Sequence, residues 1–289
     1  MKNNTPVAVF ILFLFLACGV SAQENSTCSL QGVNPPCDEI LLEEVISYIN
    51  HWSHGNTSLS NVLRLIFTWA DQEETLQEKY LKAIDDAKTA EESEIYRNLT
   101  PIIESNTDLF WEDNNGSKKI LVVTWTGWDG YVNQTNKTVY LTRETWVTVY
   151  PEVKDFVQQN VLPKEKCGLR LEQLNGLPPR NNKKWFVEFY VSPEDLFRPS
   201  PDPEINDTQA QLAFPENAST EHMNWINNLK NNSYGSNGYP WTRLGYTYDW
   251  AGSSSDHIGL SEYVIRKGAQ VKIHDTIATG EYCDAEQRQ

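Results

Sequence analysis

Basic residues are scarce in this chain. It has 24 Lys and Arg against 39 Asp and Glu, which gives a formal net charge of −15 at pH 7. Binding to nucleic acid needs clustered basic side chains that neutralise phosphates, and binding to an anionic membrane surface needs the same. The composition therefore argues against both kinds of partner.

Well-known catalytic motifs are also missing. The sequence has no GxSxG nucleophile elbow, no Walker A loop, no GxGxxG turn, no HExxH pair and no CxxC pair. His51 and His54 stand three positions apart near the end of a predicted helix, but no third metal ligand accompanies them. The sequence therefore predicts no metal site and no bound cofactor.

Long apolar runs are confined to the N-terminus. Val7–Ala17 is unbroken and apolar, Lys2 precedes it, and the small residues Val20-Ser21-Ala22 follow it. This pattern is typical of a cleaved signal peptide and is too short for a comfortable membrane span. We expect residues 1–22 to be removed, so that residues 23–289 form a secreted, extracellular protein with no membrane span.

Cysteine is rare, with five residues in the chain. Cys18 falls in the predicted signal peptide, which leaves an even set of four. In an oxidising compartment such a set indicates two disulfides, and three pairings are possible. The favoured pairing joins Cys28 to Cys37 across a short loop and joins Cys167 to Cys283, which ties the end of the chain to its middle.

Sequons for N-glycosylation are abundant and support an extracellular route. Each of the following asparagines begins an N-x-S/T triplet without proline: Asn25, Asn56, Asn98, Asn115, Asn133, Asn136, Asn206, Asn217 and Asn231. Since a glycan has to reach solvent, these positions are expected at the surface. The sequence after Asn231 carries none.

Apolar periodicity changes along the chain. Between residues 38 and 110 the spacing is helical, and it predicts helices over Leu41–Trp52, from Leu59, and from Glu73 toward Arg97. Between residues 119 and 283 β-branched and aromatic residues predict strands. We therefore predict an α+β fold, in which a helical N-terminal third packs on a mixed or antiparallel sheet within a single disulfide-stabilised domain.

Three features of the β-rich part can be placed more closely. Val139–Tyr150 alternates like one long strand, and Leu260–Arg266 and Ala269–His274 flank the tight turn signal Lys267-Gly268 like a hairpin. Residues 192–220 contain five prolines and two sequons, so they predict an exposed irregular loop.

The stretch Tyr239–Cys283 is the best candidate for a functional site. It combines aromatic side chains, turn formers and unlike polar groups, and it has no sequon. The candidate catalytic residues are Arg243, Asp256, His257 and Glu262, and the candidate substrate-binding residues are Trp241, Tyr246, Tyr248 and Trp250. Histidine titrates near neutral pH, and tryptophan and tyrosine rings stack on sugars or planar molecules. The alternative is that the aromatic residues fill a core and that residues 253–257 form a plain loop.

For function, these features favour a secreted enzyme that acts on a small planar or glycosidic substrate in an aromatic cleft. Hydrolysis, glycosyl transfer and cofactor-independent oxidation are equally compatible with them. The alternative is a non-catalytic extracellular binding or structural glycoprotein. The expected partner is a small molecule, and no oligomeric state is predicted.

Overall fold

The computed structural model describes residues 40, 42–114, 116–160, 164–235, 237–252 and 257–284. Several predictions fall outside these residues: the signal peptide, the Cys28–Cys37 pair, the sequons at Asn25 and Asn115, and the candidate acid Asp256. The chain divides into two compact units, Met1–Gln72 and Glu73–Gln289. The single domain stays a prediction.

The first unit is helical where it is described. Helix α1 spans Leu42–Ser53, and helix α2 spans Leu59–Asp86 and continues past the boundary between the units. Ile40, Val45 and Leu65 form a buried apolar cluster. The two helices predicted from Leu59 and from Glu73 are one, because no glycine or proline interrupts residues 59–86.

The second unit contains the sheet and the remaining helices. The strands are β1 Trp111–Asn114, β2 Ser117–Thr126, β3 Thr138–Tyr140, β4 Thr145–Val149, β5 Trp185–Val191, β6 Leu196–Phe197, β7 Tyr246–Tyr248, β8 Ile258–Ile265 and β9 Gln270–Ala278. The helices are α3 Glu152–Asn160, α4 Lys164–Leu174, α5 Thr220–Ser233 and α6 Thr279–Tyr282.

The sheet has the strand order β3-β9-β5-β2-β4-β8-β6, with β1 paired to β2 and β7 paired to β8. Every strand pairing in the described residues is antiparallel. The predicted α+β class with an antiparallel sheet is confirmed. No described helix combines the length and the apolar character needed to cross a membrane.

Alternating side chains give the sheet two buried faces. One face carries a core with Val122, Val147 and Phe189, which loop residues such as Leu141 complete. The other face carries Val123, Trp125 and Phe186, and helices α3, α4 and α6 cover it. Strand β2 is therefore buried on both sides, as its continuous apolar run predicts.

Two strand predictions are wrong in the same way, because a pattern of residues does not specify which strand pairs with which. Residues 139–150 form two strands, β3 and β4, which pair with β9 and with β2 and β8. Strands β8 and β9 exist but are not neighbours. Gly268 lies in the turn between them and donates its N–H to the carbonyl of Leu141 instead of closing a hairpin.

The prediction of an exposed loop over residues 192–220 is wrong for its first half, since Leu196–Asp202 is buried. Arg198 is fully buried, and its guanidinium donates to the Asp207 carboxylate at 2.5 Å and to the carbonyls of Asp207 and Gln209 at 2.8 and 2.9 Å. A charge can be buried when it is paired and hydrogen-bonded, and proline content does not reveal such a partner.

A disulfide joins Cys167 of α4 to Cys283, with their Cα atoms 6.0 Å apart. This is the second of the two pairings that the sequence favours. Both residues are buried among apolar side chains on the helix-covered face of the sheet. The bond closes a loop of 116 residues and anchors the chain just after α6.

Candidate functional site

The helix-covered face of the sheet contains a cavity of about 590 Å³. Strands β2 and β4 form its floor, while Asn175-Gly176-Leu177 and Tyr239-Pro240-Trp241 contribute walls. Clefts of this volume are typical of small-molecule sites, in which apolar walls surround a few placed polar groups. We call it the aromatic cavity, because Trp125, Trp128, Trp146 and Trp241 all line it.

Part of the floor of the aromatic cavity is one row of paired residues from three neighbouring strands. Val123 on β2 faces Thr148 on β4, which in turn faces Glu262 on β8. Directly paired residues of antiparallel strands project to the same side of a sheet, so all three side chains point into the cavity. Glu262 enters the site in this way although 114 positions separate it from Thr148.

Glu262 is the cavity's most perturbed acid. Burial raises the pKa of its carboxyl group to about 8, so that the group is largely protonated at neutral pH. None of the described residues forms a hydrogen bond with this carboxyl group. A protonated carboxyl group without a protein partner can donate its proton to a bound ligand.

Thr148 adds a second free polar atom. Its hydroxyl oxygen is buried and finds no hydrogen-bond partner among the described residues. Buried polar atoms are nearly always paired in folded proteins, so an exception that lines a cavity can form a hydrogen bond with a ligand. Glu262 and Thr148 therefore offer two adjacent hydrogen-bonding groups from neighbouring strands.

Lys183 contributes the cavity's third polar group of interest. Its ammonium donates to the carbonyl of Trp125 at 2.7 Å, and burial lowers the pKa of the amine. Burial thus pushes an acid and a base of this cavity toward their neutral forms. Paired shifts of this kind in a cleft are a physical marker of a functional site.

Aromatic rings supply the walls and the mouth. Trp241 is buried, and its indole N–H donates to the carbonyl of Pro199 at 3.0 Å. Trp146 meets it edge to face, with the ring centroids 6.2 Å apart. Trp128 and Tyr239 are 60% and 51% exposed although they line the cavity, which puts them at its opening. Flat rings at a mouth can stack on a planar ligand.

Three of the predicted site residues line the aromatic cavity, namely Glu262, Trp241 and Tyr248. Tyr246 and His257 lie beside a separate, much smaller cavity of about 10 Å³, to which Tyr248 also contributes. The structure therefore divides the described part of the predicted site between two places that share Tyr248.

Arg243 and Trp250 stabilise the fold instead of lining the aromatic cavity. The Arg243 guanidinium donates to the carbonyls of Ala87 and Lys88 at 3.3 and 2.8 Å. The Trp250 indole N–H donates to the carbonyl of Leu177 at 2.9 Å, and its ring packs edge to face on Tyr80. Sequence proximity to other polar residues does not distinguish such anchoring roles from binding roles.

His257 has neighbours that the sequence did not indicate. It is buried, its ring stacks on Tyr248 at 4.5 Å, and its Nε2 lies 3.2 Å from the Tyr246 hydroxyl and 3.6 Å from the Glu94 carboxylate. The carboxylate of Asp249 forms an ion pair with Arg170, while its backbone N–H donates to the carbonyl of His257 at 2.8 Å.

Sequence reasoning missed Thr148, Lys183 and Trp146. Alternation along β4 puts Trp146 and Thr148 on one side of that strand, which is a usable signal once the strand is known. Lys183 lies in the loop before β5, and no motif marks it.

All sequon asparagines in the described residues are exposed: Asn56, Asn98, Asn133, Asn136, Asn206, Asn217 and Asn231. Each of these sites can accept a glycan without disturbing the core.

No protein-family model matches this sequence, and comparison with curated proteins and with solved structures likewise gives no significant match. The site therefore has to be interpreted from its own chemistry.

Proposed function

We propose that this chain is a secreted enzyme that binds a small molecule with a planar or sugar ring in the aromatic cavity and protonates it through Glu262. The observation that carries the proposal is the carboxyl group of Glu262, which burial raises to a pKa of about 8 inside a cavity lined by tryptophan. A general acid is most effective when its pKa lies near the working pH.

The chemistry favours bond cleavage or glycosyl transfer over oxidation. A neutral carboxyl group can protonate the oxygen or nitrogen of a leaving group, which is the acid half of glycosidic bond cleavage. Glu144 is a second carboxylate at the cavity, and it accepts a hydrogen bond from the indole of Trp225 at 2.8 Å. The amine of Lys183, whose pKa burial lowers, and the hydroxyl of Thr148 would orient the substrate.

The test is a panel of nitrophenyl glycosides and nucleosides offered to the secreted protein, with binding followed by tryptophan fluorescence and products followed by chromatography. We expect quenching and turnover with at least one class. Glu262→Gln should retain the quenching and lose turnover by about 100-fold or more, because glutamine keeps the shape but cannot donate an acid proton.

Glu188→Gln is the matched control. Burial also raises the pKa of Glu188, to about 7, but this residue does not line the aromatic cavity. Its variant should bind and turn over like the parent. Equal loss in both variants would refute a specific role for Glu262, and quenching without any product would favour the binding-protein alternative.

Secretion and glycosylation belong to the same proposal. The exposed sequon asparagines and the Cys167–Cys283 disulfide support it, since both features suit the oxidising secretory route. Treatment of the secreted protein with a glycosidase should lower its mass by several glycans, and its N-terminus should begin near Gln23. A secreted protein that keeps Met1 and shows no mass change would contradict it.

A further inference from the structure

A histidine and two carboxylates converge away from the aromatic cavity. One ligand atom each of Asp86, Glu94 and His257 lies within 4.8 Å of the other two. Asp86 is the last residue of α2, Glu94 lies in the short 3₁₀ helix Glu92–Glu94, and His257 directly precedes β8. We call these three residues the His–Asp–Glu cluster.

The small cavity of about 10 Å³ adjoins this cluster. Glu94 and His257 line it together with Tyr246 and Tyr248. This volume is close to that of a single water-sized sphere. Two of the three residues, Glu94 and His257, thus share a space that can hold one small ligand, which is an observation independent of their charge.

The electrostatics of the cluster favour a cation. The Tyr248 hydroxyl donates to the Asp86 carboxylate at 2.8 Å, and the Tyr246 hydroxyl donates to the carbonyl of Glu94 at 3.0 Å. Asp86 also ends a helix, where the backbone dipole attracts positive charge.

The separation between His257 and Glu94 is close to that of two ligands of one metal ion. Bonds of about 2.0–2.1 Å to nitrogen and oxygen in a tetrahedral zinc site put neighbouring ligand atoms about 3.3 Å apart. The Nε2 of His257 lies 3.6 Å from the Oε1 of Glu94. Rotation of the exposed Asp86 side chain can close the longer separations.

We propose that Asp86, Glu94 and His257 bind one divalent metal ion of the zinc type. One imidazole nitrogen and two carboxylate oxygens form a mixed N and O ligand set, which Zn²⁺ accepts and which balances its charge. Three protein ligands leave a fourth position for water or for the Tyr246 hydroxyl, which already lies 3.2 Å from the Nε2 of His257. This proposal does not rest on the function proposed for the aromatic cavity.

The experiment uses the full secreted protein, stripped with a chelator and titrated with ZnCl₂ by calorimetry. We expect one strong site, a melting temperature that rises with zinc, and a visible absorption band when Co²⁺ replaces Zn²⁺. Asp86→Asn is the first variant, because Asp86 is exposed and its loss should not disturb folding. It should weaken zinc binding by about tenfold or more.

Two further variants complete the test. Glu94→Gln should likewise weaken binding by about tenfold or more, and His257→Ala by about 100-fold. His274→Ala is the matched control, since His274 also faces a carboxylate, that of Glu188 at 3.8 Å, but lies outside the cluster. The proposal fails if the parent binds no zinc, or if Asp86→Asn and Glu94→Gln bind it as tightly as the parent does.

Discussion

Replacing Glu262 by glutamine should change the pH dependence of stability in a defined way. The Glu262 carboxyl has a pKa of about 8 in the folded chain, against 4.5 for the free side chain. Between these two values the folded chain keeps a proton that the unfolded chain has released. This group therefore makes wild-type stability fall as the pH rises from 4.5 to 8, and it has no further effect outside that window.

The magnitude follows from the same two values. Each pH unit in the window costs about 1.4 kcal/mol of unfolding free energy, which gives a limit of about 5 kcal/mol by pH 8. Partial contact of Glu262 with solvent reduces this, so we expect about 2–5 kcal/mol. Glutamine does not titrate. Below pH 4.5 the unfolding free energies of Glu262→Gln and the parent should therefore change with pH in the same way. From pH 4.5 to 8 the variant should become progressively more stable than the parent.

The assay is urea unfolding with the disulfide intact, followed by tryptophan fluorescence at a series of pH values. Glu188→Gln provides a comparison, because burial and the nearby charge of Asp275 raise the pKa of Glu188 to about 7. The stability of Glu188→Gln relative to the parent should stop rising about one pH unit below the pH at which that of Glu262→Gln stops rising. A free-energy difference between Glu262→Gln and the parent that stays constant from pH 4.5 to 8 would refute the reasoning.

Four further substitutions test the fold by urea unfolding followed by tryptophan fluorescence. Cys167→Ser or Cys283→Ser should each cost about 4–5 kcal/mol, because the bond closes a loop of 116 residues, and the double variant should cost no more loop entropy than either one. Asp207→Asn should cost about 3 kcal/mol, since it leaves the fully buried Arg198 without its counter-charge. Gly245→Ala should cost about 1–3 kcal/mol, because Gly245 has φ +79° and an added Cβ would lie 2.6 Å from Arg198 Cδ. A loss below about 0.5 kcal/mol in any of these would contradict the corresponding argument.

The elements that could be predicted are those whose signal is local. The β-branched and aromatic run Trp185–Val191 coincides with strand β5, and the similar run Ile120–Trp125 lies within β2. Side chains that repeat with the period of one element report its type, because one face of that element must be buried. The α+β class follows from the order of such elements along the chain.

Strand pairing could not be predicted, since it depends on contacts between distant segments. The turn at Lys267-Gly268 is present, but β8 pairs with β4, and β9 pairs with β5. A tight turn signal fixes the local backbone and leaves both flanking strands free to find other partners. The pairing of β4 with β8 also brings Thr148 next to Glu262. The floor of the aromatic cavity could therefore not be predicted from the sequence either.

The clustering of aromatic residues in Tyr239–Cys283 predicted part of the site correctly. It did not indicate that the predicted residues are divided between two places. Trp241 and Tyr248 do line the aromatic cavity, while Arg243 anchors the backbone after α2. The charged residues of α2 resemble a solvated helix face, and Asp86 is indeed exposed. The packing of this helix end against Tyr248 of β7 makes this surface acid a neighbour of His257.

Tyr248 is shared by the aromatic cavity and the His–Asp–Glu cluster. Its ring lines the aromatic cavity and stacks on His257, while its hydroxyl donates to Asp86 at 2.8 Å. An ion bound by Asp86 and His257 would shift both residues that contact Tyr248, and so would shift the Tyr248 side chain. Since the same ring forms part of the aromatic cavity, any shift of the ring that the ion causes would alter the space open to a ligand. Coupling between two binding equilibria is reciprocal, so a ligand that presses on the ring of Tyr248 would alter the affinity for the ion by the same factor.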